Sequence, residues 1–481
     1  MKLSNSYIGL PEDFYEVINP LPVKSPRIIA FNEELAEYLG LQIDPKDAVK
    51  YFSGNSIPDN TTPIALNYAG HQFGNFVHEL GDGRATLLGE IEVNKERFDI
   101  QLKGSGPTKF SRQGDGRSAL GPVIREYIIS EAMHHLKIPT TRALAAVLTG
   151  EHVFREEIEP GGILTRIAKS HIRVGTFEYF ASRQQWENVK LLADYTIQRH
   201  FPDIRELDNH YLELLKAVSN NQSKLIAKWM GVGFIHGVMN TDNFTVSGET
   251  LDYGPCAFMD EYDPGTVYSS IDHGGRYAFG NQPSIAAWNL ASLAGCLISL
   301  IDNDSDKANE LATKVLDNFS INTNQEILNI MCQKIGLDGN SDEHQTILKD
   351  LLKIMIPNKA DYILTFRNLS QTLQDKDSLF LDHFREQEKI KEWLSNWKKL
   401  IKELSQDTKE IVKKMDSVNP IYIPRNHNVD KAIKAAYKED LEPMNELLEA
   451  LQNPFEENIR YSHLAIPPKD EEKILQTFCG T

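Results

Sequence analysis

The period of hydrophobic and polar positions changes about a third of the way along the chain. Between residues 61 and 180, apolar residues come in short runs broken by glycine turns, which is strand-like. "ATLLGEIEV" (85–93) and "RFDIQLKGSG" (97–106) read as strands broken by "NKE", with "EHVFREEI" (151–158) and "GGILTRIAK" (161–169) strand-like again. Between these pairs, "GPVIREYIISEAMHHLKI" (121–138) has helical spacing. Val123, Tyr127, Ile128, Met133 and Leu136 fall roughly on one face, which predicts an amphipathic helix. Beyond 181 the pattern predicts helices, among them 187–200, 209–219, 222–230 and 284–302. From 304 the chain is charged and helical. "EKIKEWLSNWKKLIKELSQDTKEIVKKM" (388–415) aligns Ile390, Trp393, Trp397, Leu400, Ile401 and Leu404 on a packing face. Residues 1 to about 60 mix short apolar pieces with prolines and read as an irregular extension.

Strands, helix, strands and then helices predict an α+β chain with a bilobal architecture. A sheet-rich N-lobe covers 1–180, and a helical C-lobe with a helical C-terminal extension covers 181–481. A cleft forms where they meet. The 481 residues are more than one core usually holds. No run of about 18 apolar residues predicts a membrane span, and the start "MKLSNSYIGLPEDFYE" has no apolar signal core. A cytoplasmic protein without a membrane partner is expected.

A net charge of −17 argues against nucleic-acid binding. Yet between Lys103 and Arg173 there are 11 Lys/Arg against 7 Asp/Glu, a local excess of four that suits a small anion such as a nucleotide. The four cysteines, Cys256, Cys296, Cys332 and Cys479, form no C-x-x-C pair, so neither a zinc site nor a disulfide framework is indicated.

The segment "HGVMNTDNF" (236–244) lies close to a protein-kinase catalytic loop, H-R-D-L-x-x-x-N. His236 falls on the His and Asn243 on the metal-binding Asn, but Val238 stands where the base would be, and valine accepts no proton. "NFTVSGETLDYG" (243–254) then predicts a strand, a Ser-Gly-Glu turn and a strand that return Asp252 beside Asn243. One amide and one carboxylate are hard oxygen ligands that suit Mg²⁺ or Mn²⁺. A cleft carboxylate such as Asp252 is expected to be dispensable for folding. Asp242 adds a carboxylate whose bland role is capping the loop. Lys103 ends a strand, and Glu126 follows 23 residues later in the helix as its candidate ion-pair partner, with Glu131 competing. "LGDGRA" carries Gly81, Gly83 and Arg84, and "RQGDGRSALG" carries Asp115, Gly116 and Arg117. Glycines let backbone N–H groups approach phosphate, and Arg166 and Arg173 can clamp it. The residues leave three readings open: a nucleotide-using transferase, an inactive nucleotide-binding scaffold, and a small-molecule kinase, which Val238 opposes.

"NYAGHQFGNFVHELGDGRA", "DIQLKGSGPTKFSRQGDGRSALGPVIREYIISEAMHHL", "TRIAKSHIRVGTFEYF" and "GFIHGVMNTDNF…LDYGPCAFMD" closely resemble the selenoprotein O family, SelO or YdiU in bacteria. "SSIDHGGRYAFGNQPSIAAWNLASLA" and "NPIYIPRNHNVDKAI" extend the likeness. The resemblance implies a protein-kinase-like fold and a protein adenylyltransferase. ATP binds flipped relative to kinases, AMP passes to Ser, Thr or Tyr hydroxyls of proteins (the enzyme itself included), and pyrophosphate leaves. For some bacterial members it implies UMP from UTP with Mn²⁺. Carried onto this chain, Gly81, Gly83, Arg84, Lys103, Asp115, Gly116, Arg166, Arg173 and Asp252 would hold the nucleotide. Asn243 and Asp252 would hold the metal, and Asp242 would accept the proton. A flipped nucleotide moves the reacting phosphorus away from position 238, which accounts for Val238. The family also ties a C-terminal Sec or Cys, here Cys479, to a second cysteine. Tyr268 stands at that second position, leaving Cys256 as the substitute partner.

Overall fold

A computed structural model describes residues 1–59, 61–339, 341–404 and 407–478. The first 180 residues carry β1 (Tyr15–Val17), β2 (Arg27–Phe31), α1 (Glu33–Tyr38), α2 (Pro45–Phe52), β3 (Ile64–Leu66), β4 (Gly70–Gln72), β5 (Asn75–Val77), β6 (Ala85–Val93), β7 (Glu96–Lys103), β8 (Ser118–Ala119), α3 (Leu120–His135), β9 (Arg142–Phe154) and β10 (Ile158–Ala168). Eight strands form one antiparallel sheet in the order β1-β3-β6-β7-β10-β9-β2, with β8 also paired to β10; β4 and β5 form a separate hairpin. Residues 1–60 are therefore not an irregular extension. They supply both edge strands and two short helices whose Leu35, Ala36 and Phe52 are buried with Ile100 and Leu102 of β7. Pieces of three to eight residues are too short for their period to show in the sequence.

The remainder is mostly helical: α4 (Val174–Ala181), α5 (Trp186–His200), α6 (His210–Val232), the ribbon β11 (Phe234–Ile235) with β12 (Ala257–Phe258), α7 (Gln282–Ile301), α8 (Ser305–Lys334), α9 (Asp342–Asn358), α10 (Tyr362–Gln371), α11 (Asp377–Leu381), α12 (Gln387–Glu403), α13 (Thr408–Val418), α14 (Asn426–Ala436) and α15 (Glu442–Gln452). The expected helices 209–219 and 222–230 are a single helix, α6. The polar "NNQS" that suggests a break is partly buried inside the helix, where Gln222 donates to the Thr245 carbonyl at 2.6 Å. The expected packing face of α12 forms: Ile390, Trp393, Trp397, Leu400 and Ile401 are buried. Although the sequence has no unbroken apolar run, Phe279–Ile301, which contains α7, is long and apolar enough to cross a membrane, and half of its window is buried in the protein.

Helix α3 is buried on more than one face, which corrects the amphipathic expectation. Leu120, Val123, Ile124, Tyr127 and Ile128 share a core with Ala143 and Leu164 of the sheet and with Val429, Ala432, Met444 and Leu447 of α14 and α15. The C-terminal helices thus cover the side that a purely amphipathic helix would leave to water. Just before α14, Arg425 is fully buried. It donates to Asp260 at 2.6 Å and to Asp361 at 2.9 Å, while Asn426 exchanges hydrogen bonds with the backbone of Phe258 in β12. The sheet is tied to the helices by Arg199 of α5, which meets Glu90 of β6 at 2.9 Å and Asp99 of β7 at 2.6 Å. Burial would raise the Asp99 carboxyl, but Arg199 and His171 hold it down at about 2.

Lys334, at the end of α8, is buried with no hydrogen-bond partner for Nζ and has only the Phe366 ring at 4.7 Å and the Tyr362 ring at 5.7 Å. Burial pushes its ammonium down from 10.5 to about 7. The folded state therefore disfavours the proton that the unfolded chain keeps up to pH 10.5. The penalty is complete below pH 7 and disappears as pH rises to 10.5. Lys334→Met is expected to stabilise the protein at pH 7 by about 1–3 kcal/mol. Thermal denaturation across pH should show that gain shrinking toward pH 10.5; a loss at pH 7 would mean the ammonium has a role that the burial does not reveal.

Candidate functional site

The site grows from the register of two strands. Side chains along a strand alternate, so Gln101 and Lys103 of β7 share a face. Arg166 of β10 lies directly across from Gln101, which puts it on that face too, and its Nη2 donates to the Gln101 Oε1 at 2.6 Å. Helix α3 starts immediately after β8 and presents Glu126 in its second turn. Lys103 Nζ meets the Glu126 carboxylate at 2.7 Å, and Arg166 meets its other oxygen at 3.2 Å. Glu131, the alternative partner, is engaged elsewhere by Arg142 at 2.7 Å, Asn32 at 2.6 Å and the Ala143 N–H at 2.9 Å.

Asp252 comes from the other half of the chain to the same place. Its Oδ1 accepts from Lys103 at 2.7 Å and Arg166 at 2.6 Å, and its Oδ2 from Arg173 at 3.2 Å. Its backbone has φ 63°, a left-handed conformation that Asp tolerates better than most residues. Burial would raise its carboxyl, but Arg166, Lys103 and Arg173 hold it well below the usual range. Arg173 also lies 3.5 Å from Asp82 and 4.2 Å over the Tyr68 ring. Lys103, Arg166 and Arg173 thus face Glu126, Asp252 and Asp82, and these six charges cancel. Asp252 is consequently part of what ties the sheet to the helical half, so its loss is expected to cost stability. Beside this cluster, a cleft is lined by Arg84, Lys103, Ser118, Val123, Tyr253 and Gly254, among others.

The loop 236–252 has no pair of strands; isolated bridges Phe244↔Thr250, Arg173↔Thr245 and Thr140↔Thr250 make the return instead. It is too short and too tightly tied to its neighbours to form a ladder. His236, neutral because burial lowers it, faces the Leu251 carbonyl through Nε2 at 2.9 Å. Val238 is buried. The Asn243 amide nitrogen donates to the Val238 carbonyl at 3.0 Å. Among the described residues no three His, Cys, Asp or Glu gather as a metal site. The Asn243 amide oxygen and the Asp252 carboxylate are hard oxygens of the kind Mg²⁺ or Mn²⁺ takes, and in this structure the Asp252 oxygens are engaged by Lys103, Arg166 and Arg173.

Asp242 is buried, its Oδ2 accepts from Gln72 at 3.1 Å, and its Oδ1 has no partner. Burial pushes it up to about 6, against the pull of Gln72 and Arg173. Gln72 belongs to the β4–β5 hairpin, to which composition and spacing assign no role. The hairpin is fastened to the loop by His71 N–H to Thr241 at 2.7 Å, by Phe73 N–H to Asn240 at 3.1 Å, and by His71 to Glu178, which also accepts from Thr241. Polar residues at a hairpin tip look like ordinary surface in a sequence. The signal present was the pair of glycines in "AGHQFG": a Cβ at Gly70 would lie 2.6 Å from Asp242 Oδ1.

Other predicted site residues lie in the loops around the cluster. Gly81 and Gly83 pack against Phe110, where a Cβ on Gly81 would fall 2.2 Å from the ring, and their N–H groups donate to the Tyr68 and Gly81 carbonyls. Gly116, at φ 65°, packs against the Gly106 backbone. Asp115 pairs with Arg155 at 3.0 Å, and Arg117 donates to the Leu21 and Pro22 carbonyls. Cys256 is buried, and Cys479 lies outside the described residues. The tail leading to it pairs with the segment after the loop: Thr477 N–H donates to the Tyr268 carbonyl at 2.7 Å and its hydroxyl to the Pro255 carbonyl at 2.6 Å.

Residues 1–452 match the family model described as "Protein adenylyltransferase SelO". The chain is 53% identical over 485 residues to the "Protein nucleotidyltransferase YdiU" of Maridesulfovibrio salexigens, an alignment covering 100% of this chain and 98% of that protein. It is 52% identical over 483 residues to the protein of the same description from Rhizobium etli (99% of this chain, 97% of that protein) and 51% identical over 484 residues to that of Rhodopseudomonas palustris (99% and 98%).

Removing the Asp252 carboxylate leaves Lys103, Arg166 and Arg173 facing two carboxylates. Asp252→Ala is expected to lose on the order of 3 kcal/mol of stability. Inorganic pyrophosphate, supplying the missing negative charge, should raise the thermal midpoint of the variant more than that of the wild type. An unchanged midpoint in Asp252→Ala without any anion would show that water satisfies the three cations.

Proposed function

The chain belongs to the SelO family of protein nucleotidyltransferases, and from that premise we propose that it moves AMP from ATP, or UMP from UTP, onto Ser, Thr or Tyr hydroxyls of proteins, itself included, with release of pyrophosphate. In this reading residues 1–180 act as the N-lobe and 181–481 as the C-lobe of a protein-kinase-like fold, and the nucleotide lies in the cleft beside Lys103 and Arg84. The carrying observation is the cage of Lys103, Arg166 and Arg173 around Asp252, next to a loop with Val238 at the kinase base position. Such a cage suits phosphates and offers no proton acceptor where a kinase would need one.

The charges argue for the metal. The six groups of the cage already cancel, so a triphosphate would bring its negative charge in uncompensated. Asn243 and Asp252 would hold Mg²⁺ or Mn²⁺, which offsets that charge and polarises the phosphate oxygens. Lys103, kept in place by Glu126, and Arg166 and Arg173 exchange part of their contact with Asp252 for phosphate oxygens. Arg84, which lines the cleft, would face the departing end. The acceptor oxygen forms a bond to the α-phosphorus while the bond from that phosphorus to the bridging oxygen breaks. The electron pair leaves with pyrophosphate, and the hydroxyl proton passes to Asp242. Burial makes Asp242 a better proton acceptor than an exposed carboxylate.

Two measurements check this. With ATP labelled at the α- or the γ-phosphate and metal present, protein should retain label only from the α-position. Retained γ-label would favour a kinase-like phosphotransferase, and no retained label an inactive scaffold. Gly70→Ala should fold, since its backbone conformation is open to alanine, but the added methyl displaces Asp242. Transfer is expected to fall at least tenfold, on the order of the cost of misplacing a reacting group, with nucleotide binding unchanged. Full transfer by Gly70→Ala would remove Asp242 from the reaction.

A further inference from the structure

We propose that the seam between the β4–β5 turn and α7 reads the acceptor polypeptide, with Arg276 recognising a carboxylate close to the hydroxyl that receives the nucleotide. The inference rests on the transfer reading above and deepens it to a class of acceptor. Its starting point is a cation without a counter-charge. Arg166, Arg173, Arg199 and Arg425 each meet at least one carboxylate. No Asp or Glu among the described residues lies within 4.0 Å of the Arg276 guanidinium, and its buried Nε has no acceptor. The group is held in place nonetheless. It lies 4.9 Å over the Trp288 ring and 5.7 Å over the Tyr277 ring, and a Cβ on Gly74 would be 3.6 Å from its central carbon.

Asp272 makes no ion pair with it: its carboxylate accepts the backbone N–H groups of Arg276 and Tyr277 at 2.9 and 2.8 Å. A positioned, half-buried guanidinium on an aromatic floor, in a chain of net charge −17, is a site for an anion from outside.

Its location selects the acceptor as that anion's source. Tyr277, the next residue, donates to Asn240 at 2.6 Å, and Phe73 N–H donates to the same oxygen at 3.1 Å. These bonds tie the Arg276 segment and the hairpin turn to the loop that carries Asp242. Gln72 holds the Asp242 carboxylate, and Gly74, against which Arg276 lies, follows Gln72 by two residues. Phe73 and Gly74 form the tight turn, both at positive φ, so the two positions are at most about 7 Å apart. A carboxylate about two to four residues from the acceptor hydroxyl is then the one placed to meet Arg276.

The test uses the full-length protein, α-labelled ATP with metal, and two synthetic peptides that share a central Ser. One carries Asp and Glu on both sides of it, and the other Asn and Gln at the same positions. The wild type should favour the acidic peptide at least tenfold in kcat/KM. Arg276→Gln should reduce the preference to within about twofold, the loss expected when a charge-assisted contact is removed, and Arg276→Lys should keep part of it. The thermal midpoint of Arg276→Gln should match that of the wild type, which reports that the variant folds. Equal use of both peptides by the wild type overturns the inference. So does a preference surviving in Arg276→Gln, or transfer to neither peptide while self-labelling proceeds. Absence of α-label from all protein, the enzyme included, would instead sink the transfer reading itself.

Discussion

The arrangement depends on the sharing of Asp252 by Lys103, Arg166 and Arg173. Each of the four sits on a different element or connection, so the ion cluster is the point where strand register, the α3 helix and the loop after β11 must all agree. Buried charges are costly unless paired, and here each positive group has a carboxylate within 3.5 Å. The cluster therefore tolerates little displacement of any contributor. It also accounts for Asp252 adopting a left-handed backbone, a strain on the order of 1 kcal/mol that three cations readily offset.

That constraint propagates outward. Glu126 meets Lys103 only if α3 lies against β9 and β10, and α3 is pressed there by α14 and α15 from its other side. The segment before those helices is anchored in turn. Arg425 bridges Asp260, which follows β12, and Asp361, which caps α10. One C-terminal segment thus braces both the helix that carries Glu126 and the stretch that follows Asp252. A cluster that needs several elements in register is held by a packed extension rather than left to a mobile contact.

The β4–β5 hairpin packs on the loop, and its closeness to Asp242 explains the small residues there. A Cβ on Gly70 would strike the Asp242 carboxylate, and one on Gly175 would strike the Ala69 carbonyl at 2.1 Å. The chain at 69–70 is therefore pinched between α4 and the loop. Through Gln72 and Phe73 the same hairpin governs Asp242 and contacts Asn240. The group proposed to take the proton and the surface proposed to meet an acceptor are thus tied to one short turn.

Much of this was legible in the sequence, and the rest was not, for identifiable reasons. The long strands β6, β7 and β10, the helices α3, α5 and α7, and the apolar face of α12 announce themselves because a period of two or of 3.6 repeats often enough to register, whereas most of β9 (Arg142–Phe154) does not, and the strand-like 151–158 spans its hairpin turn into β10. Residue chemistry at fixed spacing brought Lys103, Glu126, Asn243 and Asp252 together as candidates, with Val238 marking the missing base. The sequence put Glu126 ahead of Glu131 as the partner of Lys103, and the ion pair forms. What engages Glu131 instead, Arg142 of β9 and Asn32 before α1, appears only in the tertiary contacts. Nor could the sequence show β1 and β2 as sheet edges, α6 as unbroken, Gln72 on Asp242, or Arg276 without a counter-ion. These are relations between residues up to about two hundred positions apart in the chain. Local pattern records what a residue prefers, whereas the partner that satisfies or fails to satisfy a buried charge is decided by tertiary contact alone.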